Sequence, residues 1–498
     1  MSEERLSYRF GPLERRGLLG PVRGGQAALL ACGLGFAALL LDLLPSATGA
    51  FLALLTLALA TGLGTAPLAG RALDEWAPVV GAHLLRVAGG RRRLRPHLPA
   101  IAMGAQPRTA GAGRPAAPAT PLPATLRGVS LLALETDGRR LGVARELHGR
   151  RLTAVLACQA LSFTLLDPAA QERRLAQWGL VLAGCARGPV RRLQWVERTA
   201  PARGDELAHW LHEARDPAIP PRGAPIIESY LELIGSSTRV ANDHEVLLAV
   251  QVDGRLGRGR HERELESILM EELARLARGL EAAEIRVLGA LGAGQLARAL
   301  RTAYDPYARA ELSALESADP GRGEDWPQSA GPLAAEEHWD HYRCDGAWHA
   351  SFWIGGWPRV DVSPMFMDAL LGSSDTVRTV AVTFEPVPPD RSTREVEAAI
   401  TRDRADNELR RRFGQSETAR QRQAQEAAMR REAELAAGHA EVRLAGFVTV
   451  SGRDEADLRA ACAEVQQQAA RSRLELRRMY GQQAEAFSFT LPLARGLR

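Results

Sequence analysis

The chain has 498 residues, 46% hydrophobic and 24% charged, enough for two or three folded units. All 63 basic residues are arginine, which excludes a P-loop (it needs a lysine ammonium on the nucleotide phosphates) and Schiff-base catalysis (it needs a lysine amine). The net charge of +4 gathers at the start: residues 1–97 hold eleven arginines against six acids, the remainder is near −1, and no direct nucleic-acid binding is expected.

Two apolar runs follow a polar leader, Gln26–Leu44 and Ala50–Ala69, joined by the uncharged loop Pro45–Gly49. Each has the length of a membrane span, and Asp42 is the one charge inside them. Arginines flank the pair on both sides, so the positive-inside bias predicts a hairpin in a bacterial inner membrane with both termini cytoplasmic. Ala72–Val87 then reads as an amphipathic segment, with Trp76 and the basic tail Arg91, Arg92, Arg93 and Arg95 at the membrane interface. Residues 1–97 are thus an anchor, and 98–125, rich in Pro, Ala and Gly, a flexible linker.

Beyond the linker, strands are expected at Ser130–Leu134, Leu141–Leu147, Arg151–Ala157, Ser162–Leu166 and Val190–Glu197. Asp167 is placed to cap a helix over Pro168–Arg187. Helices at Asp205–Ala214 and Pro225–Leu233 precede a strand at Glu245–Val252, a long helix at His261–Arg278, a strand at Ile285–Leu288 and a helix at Ala293–Ala303. Residues 306–344 form an acidic loop region between a first lobe, 126–305, and a second, 345–498. In the second lobe, strands are expected at Trp348–Ile354 and Thr376–Phe384 around a helix at Met365–Leu371. The run 394–437 is an arginine-rich helical hairpin with interspersed acids. A strand at Glu441–Val450, a helix at Asp454–Arg471, a strand at Leu474–Leu476 and a helix at Gly481–Phe487 complete the second lobe. The fold class is α+β, a duplicated unit with helices covering one face of a mostly antiparallel sheet.

Residues 146–201 (ELHGRRLTAVLACQALSFTLLDPAAQERRLAQWGLVLAG…VRRLQWVERTAP) and 481–498 (GQQAEAFSFTLPLARGLR) resemble the amino-terminal, non-ATPase region of TrbE/CagE-type conjugation and type IV secretion ATPases. The two-helix start resembles the PrgI-like membrane subunits that accompany them, and the fusion resembles an actinobacterial family of membrane proteins from such loci. In those ATPases the ending leads into a motor domain with Walker motifs, which this sequence lacks. The resemblance therefore implies a structural subunit, oligomeric in a complex, that docks a separate P-loop ATPase.

Five widely spaced cysteines, with no CxxC pair, fit a reduced compartment rather than a disulfide framework. The cluster His338, Asp340, His341, Cys344, Asp345 and His349 carries zinc-ligand chemistry, but its spacing matches no standard structural site, and aromatic packing with a solvated polar face is the better reading. Trp353, Trp357 and Arg359 form either a docking surface or a turn whose rings fill the core. Gly289–Gly294 precedes a helix without a dinucleotide fingerprint and reads as a loop. No cofactor and no catalysis are expected. The leading reading is a scaffold of a type IV secretion or conjugation-like apparatus. The alternatives are a subunit of a type VII (ESX) membrane complex and a membrane-tethered metalloenzyme using His338, His341, Cys344 and His349.

Overall fold

The computed structural model describes residues 24–65, 71, 73–94, 122–136, 139–146, 151–159, 163–201, 242–255, 262–312, 330–358, 360–372, 375–398 and 440–497, with scattered positions at 225–229 and 401–434. The expected linker up to residue 121, the helix at 205–214, and most of the helix at 225–233 and of the helical hairpin 394–437 lie outside the described residues; the end of the linker enters a 3₁₀ turn, Ala124–Leu126.

Helices α1 (Gly24–Leu43) and α2 (Ala47–Thr65) turn back on each other through three residues. Gly33 sits so close to Ala60 that a Cβ there would fall 2.5 Å from the alanine methyl, and the Gln26 amide donates to the Gly64 carbonyl at 2.8 Å. The stretch Gly25–Leu43 is long and apolar enough to cross a membrane. The apolar part of α2, Ala47–Gly62, is shorter: sixteen residues rise about 24 Å, less than a hydrocarbon core of about 30 Å. Helix α3 (Leu73–Ala88) and the two-residue strand β1 (Arg93–Leu94) lead to the main sheet.

Among the described residues the sheet has thirteen strands, and all of their pairings are antiparallel. The strands of the first half are β2 (Val129–Thr136), β3 (Arg139–Glu146), β4 (Arg151–Gln159), β5 (Val190–Pro201), β6 (Asn242–Asp253) and β7 (Arg286–Ala290). Those of the second half are β8 (Ala335–Glu337), β9 (Tyr342–Cys344), β10 (Ala347–Gly356), β11 (Arg378–Pro386), β12 (Val442–Gly452) and β13 (Glu475–Arg478). Their order is β1-β8-β9-β10-β12-β11-β5-β6-β4-β3-β2, with β7 beside β4 and β13 beside β10. The two halves pair their strands in the same pattern. In the first, β4 lies between β3 and β6 and also takes β7; in the second, β10 lies between β9 and β12 and also takes β13. The halves join through β5 and β11, from Leu193 opposite Phe384 to Thr199 opposite Arg378.

The helices are α4 (Pro168–Ala186), α5 (Glu262–Ala282), α6 (Ala293–Tyr304), the single turn α7 (Asp368–Leu371), α8 (Glu455–Arg471) and α9 (Gln483–Ser488). They cover both faces of the sheet, not one. Successive strand residues point to opposite faces. Leu248, Val250 and Val252 of β6 pack with Val181 of α4 and Leu269 of α5, whereas Leu247 and Ala249 pack with Leu296 of α6 and Phe487 of α9. In the second half Val448 and Val450 pack with Leu458 and Val465 of α8. Coverage on both sides explains why Leu247–Asp253 and 445–452 are buried without a break. An unbroken apolar run, unlike an alternating one, marks a strand buried on both faces.

Three further expectations change. Ser162–Leu166 is no strand: Phe163–Leu165 is a 3₁₀ turn that leads to the helix cap, where the Asp167 carboxylate accepts from the Ala170 amide at 2.8 Å. Met365–Leu371 is helical only over Asp368–Leu371. The region 306–344 contains β8 and β9, which pair onward to β10 and so belong to the second half of the sheet. Both are three residues long, too short for a pattern to show.

Candidate functional site

Near the junction of the halves a cleft of about 1110 Å³ opens, reaching Glu197 of β5, His244 of β6, Arg298 of α6 and Asp368 of α7. Two adjacent charges on β5 divide between the faces of the sheet. Arg198 is 2% exposed and donates to Glu245 Oε2 at 3.3 Å and to the Thr302 hydroxyl on α6 at 3.2 Å. Arg309 lies beside the same carboxylate at 4.0 Å and beside Asp243 at 3.8 Å. On the opposite face, Glu197 Oε1 is 3.9 Å from Nδ1 of His244, which also meets the Thr199 hydroxyl at 3.2 Å.

Burial pushes the Glu197 carboxyl up to about 7, although the nearby Arg378 guanidinium acts in the other direction. Burial, with the same arginine adding to it, holds the His244 imidazole below its ordinary value. Arg378 is itself buried, donates to the Gly372 carbonyl at 2.7 Å, and is lowered by desolvation. The cleft thus holds mixed charge and a carboxyl that changes state near neutral pH. None of these residues stood out in sequence. The signal was the adjacent pair Glu197-Arg198 inside an otherwise strand-like run, which forces one charge onto each buried face.

The residues singled out for zinc chemistry divide between interior and surface. His349 is fully buried, with Nδ1 2.9 Å from the Ser451 hydroxyl and Nε2 2.9 Å from the Tyr304 carbonyl. The carbonyl only accepts, so Nε2 carries the proton and Nδ1 accepts from Ser451. Cys344 is fully buried, and desolvation raises its thiol well above the ordinary range. His338 stacks on His341 at 4.3 Å, His341 stacks on Trp348 at 4.7 Å, and His341 Nδ1 meets Asp340 at 2.8 Å. Among the described residues no group of three or more His, Cys, Asp and Glu has the geometry to hold a metal ion.

Trp357 packs against the core of the second half, and its ring lies 3.0 Å from where a Cβ on Gly446 would sit. Trp353 is half-buried under the Arg477 guanidinium, 5.8 Å from its centroid. Arg359 and Arg95 lie outside the described residues. The backbone amide of Gly292, in the glycine-rich loop before α6, donates to Gln295 at 2.9 Å.

Trp76 packs against the protein. It is 8% exposed and stacks on Trp339 at 5.8 Å, with Tyr480 beyond at 6.3 Å. Arg86, three turns along α3, ion-pairs with Glu337 at 3.1 Å and donates to the Gly481 carbonyl. Arg71 reaches Gln482 at 3.2 Å. Arg93 and Arg92 engage Glu336 at 2.8 and 3.5 Å, and Arg91 is exposed. The indole and the basic residues that fit a lipid interface in sequence are therefore largely spent on holding α3 and β1 to the second half.

A family model matches part of the chain. It is described as a type VII ESX secretion system translocon, EccE, and it covers residues 231–354. That range runs from β6 through α5, β7, α6 and β8 into β10, and so includes His244, Glu245, Arg298 and Arg309 of the cleft and Trp339 of the α3 dock. No curated protein matches the chain. The comparisons give no support to the likeness to TrbE/CagE-type ATPases or PrgI-like subunits, and the stretches that carried it, 146–201 and 481–498, lie outside the matched range.

Proposed function

We propose that the chain is a membrane-anchored subunit of a type VII (ESX) secretion membrane complex and serves it as a scaffold, without catalysis of its own. The observation that carries this reading is the match to the EccE family over residues 231–354. The apolar helices α1 and α2 fit an anchor in the bacterial inner membrane, and the arginines that flank them fit a cytoplasmic position for the sheet. The repeated strand pairing supports a duplicated α+β unit whose copies meet at β5 and β11. Energy for transport then comes from a separate subunit with a lysine-bearing P-loop, since this chain holds no lysine. The type IV reading rests on resemblances, of residues 146–201 and 481–498 and of the two-helix start, that no family match supports. The metalloenzyme reading loses His349 and Cys344 to the protein interior.

The test is an affinity pull-down of the tagged full-length chain from native membranes in mild detergent, with the co-purifying proteins identified. Recovery of type VII membrane subunits with a P-loop ATPase supports the proposal. Recovery of type IV subunits, or of a partner-free chain, overturns it.

A further inference from the structure

Helix α3 has two faces of unlike chemistry. Trp76, Val79, His83 and Arg86 recur at helical spacing and meet the second half of the sheet. The opposite face meets nothing described. Val80 is 37% exposed, Leu84 59%, Leu85 75% and Val87 38%, and no exposed residue between positions 77 and 88 is polar. A helix that faces water on one side carries charged or polar residues there, and between positions 77 and 88 this one carries them only on the side turned to the protein. The helix also touches α1 and α2, the apolar helices of the anchor. Arg91, at its end, is exposed and suited to lipid phosphate.

We propose that α3 lies in the plane of the membrane surface, with Val80, Leu84 and Leu85 in the headgroup–acyl boundary, and that it clamps the sheet domain to the bilayer through the Trp76 face. The occupant of the bare face is lipid. This rests on the anchored reading of the chain and adds that the domain is held flat against the membrane, not suspended from it by a tether.

The experiment places nitroxide labels on the full chain in lipid nanodiscs containing an anionic lipid. Cys32 on α1 is the exposed cysteine, and the other four are buried, so the native chain reports on the anchor. Leu84→Cys, Leu85→Cys and Arg459→Cys are made in a Cys32→Ser background, Arg459 being a 75% exposed side chain on α8 that serves as the water reference. Power saturation reads collision with oxygen, which partitions into lipid, and with a nickel chelate, which stays in water. Labels at 84 and 85 are expected to show an oxygen-to-nickel ratio several-fold above that at 459. A ratio at 84 and 85 equal to that at 459 overturns the proposal, and so does exclusion of both reagents, which would mean a protein partner or a second copy on this face. In either case a lipid signal at Cys32 leaves the anchor standing, whereas a water signal there overturns both.

Discussion

The Trp76 ring lies over that of Trp339, centroids 5.8 Å apart and planes inclined by 29°, and this stack joins α3 to the second half of the sheet. His83 meets the same indole edge-on at 5.1 Å, so Trp339 is the shared surface of the dock. Trp339→Ala removes both contacts, at a cost of about 1–2 kcal/mol. Hydrogen exchange should then quicken about tenfold in α3 while α8 keeps its protection. Equal rates in α3 before and after substitution would show that the stack does not hold the helix.

Gln194 lies under the segment that follows α9. Its amide donates to the Phe489 carbonyl at 2.6 Å, and its carbonyl accepts from the amides of Leu493 at 3.1 Å and Ala494 at 2.8 Å. Gln194→Ala leaves these buried groups without partners, and the loss should be about 2–4 kcal/mol. Urea unfolding of the purified chain measures it, and a change under about 0.5 kcal/mol, the size of an ordinary surface substitution, would rule out this role.

His349 sets an acid limit. Burial lowers its imidazole to about 4 from an ordinary 6.5. The unfolded chain therefore takes up a proton that the folded one refuses, and stability present above about 6.5 is lost as pH falls toward 4. The expected loss is at most about 3 kcal/mol. Thermal melts of the wild type and His349→Gln between pH 4 and 7 should diverge, with the variant less steep. Parallel curves would sink the assignment.

Glu197 acts in the opposite sense. Its folded value of about 7 stands above the ordinary 4.5, so the contribution favouring the fold is present at low pH and lost as pH rises from about 4.5 through 7. Between pH 5 and 8 the stability of Glu197→Gln relative to wild type should therefore rise, by about 1–3 kcal/mol. A pH-independent difference between the two would place the carboxyl in an ordinary environment.

Much of the fold was legible. The Asp167 cap was read from sequence, and the structure shows it accepting from Ala170 at 2.8 Å; Asp454, expected as the first residue of a helix, is instead its cap and accepts from Asp457 at 2.9 Å. The strand expected at Glu245–Val252 is the inner part of β6, and the helix expected at Asp454–Arg471 begins one residue later as α8. These elements are long and their periods strong. The side of Trp76 was not legible, because amphipathicity shows that a helix has an apolar face and not what covers it. The cleft was hidden for a similar reason. Glu197 and His244, which line it, lie on strands far apart in sequence, and only the register of β5 with β6 brings them together.

The seam between the halves also governs the order in which the chain can fold. β5 must wait for β11, which is synthesised well over a hundred residues later, and until then its outer edge offers open hydrogen-bonding groups. The bond from Gln194 to Ala494 closes a span of 300 residues. Pairings so distant form slowly, because loop entropy is lost before contact energy is gained. A first half with one edge unsatisfied is the stage at which this protein is most exposed to mispairing. Expression that halts between residues 201 and 378 should therefore yield a product that aggregates rather than a stable fragment.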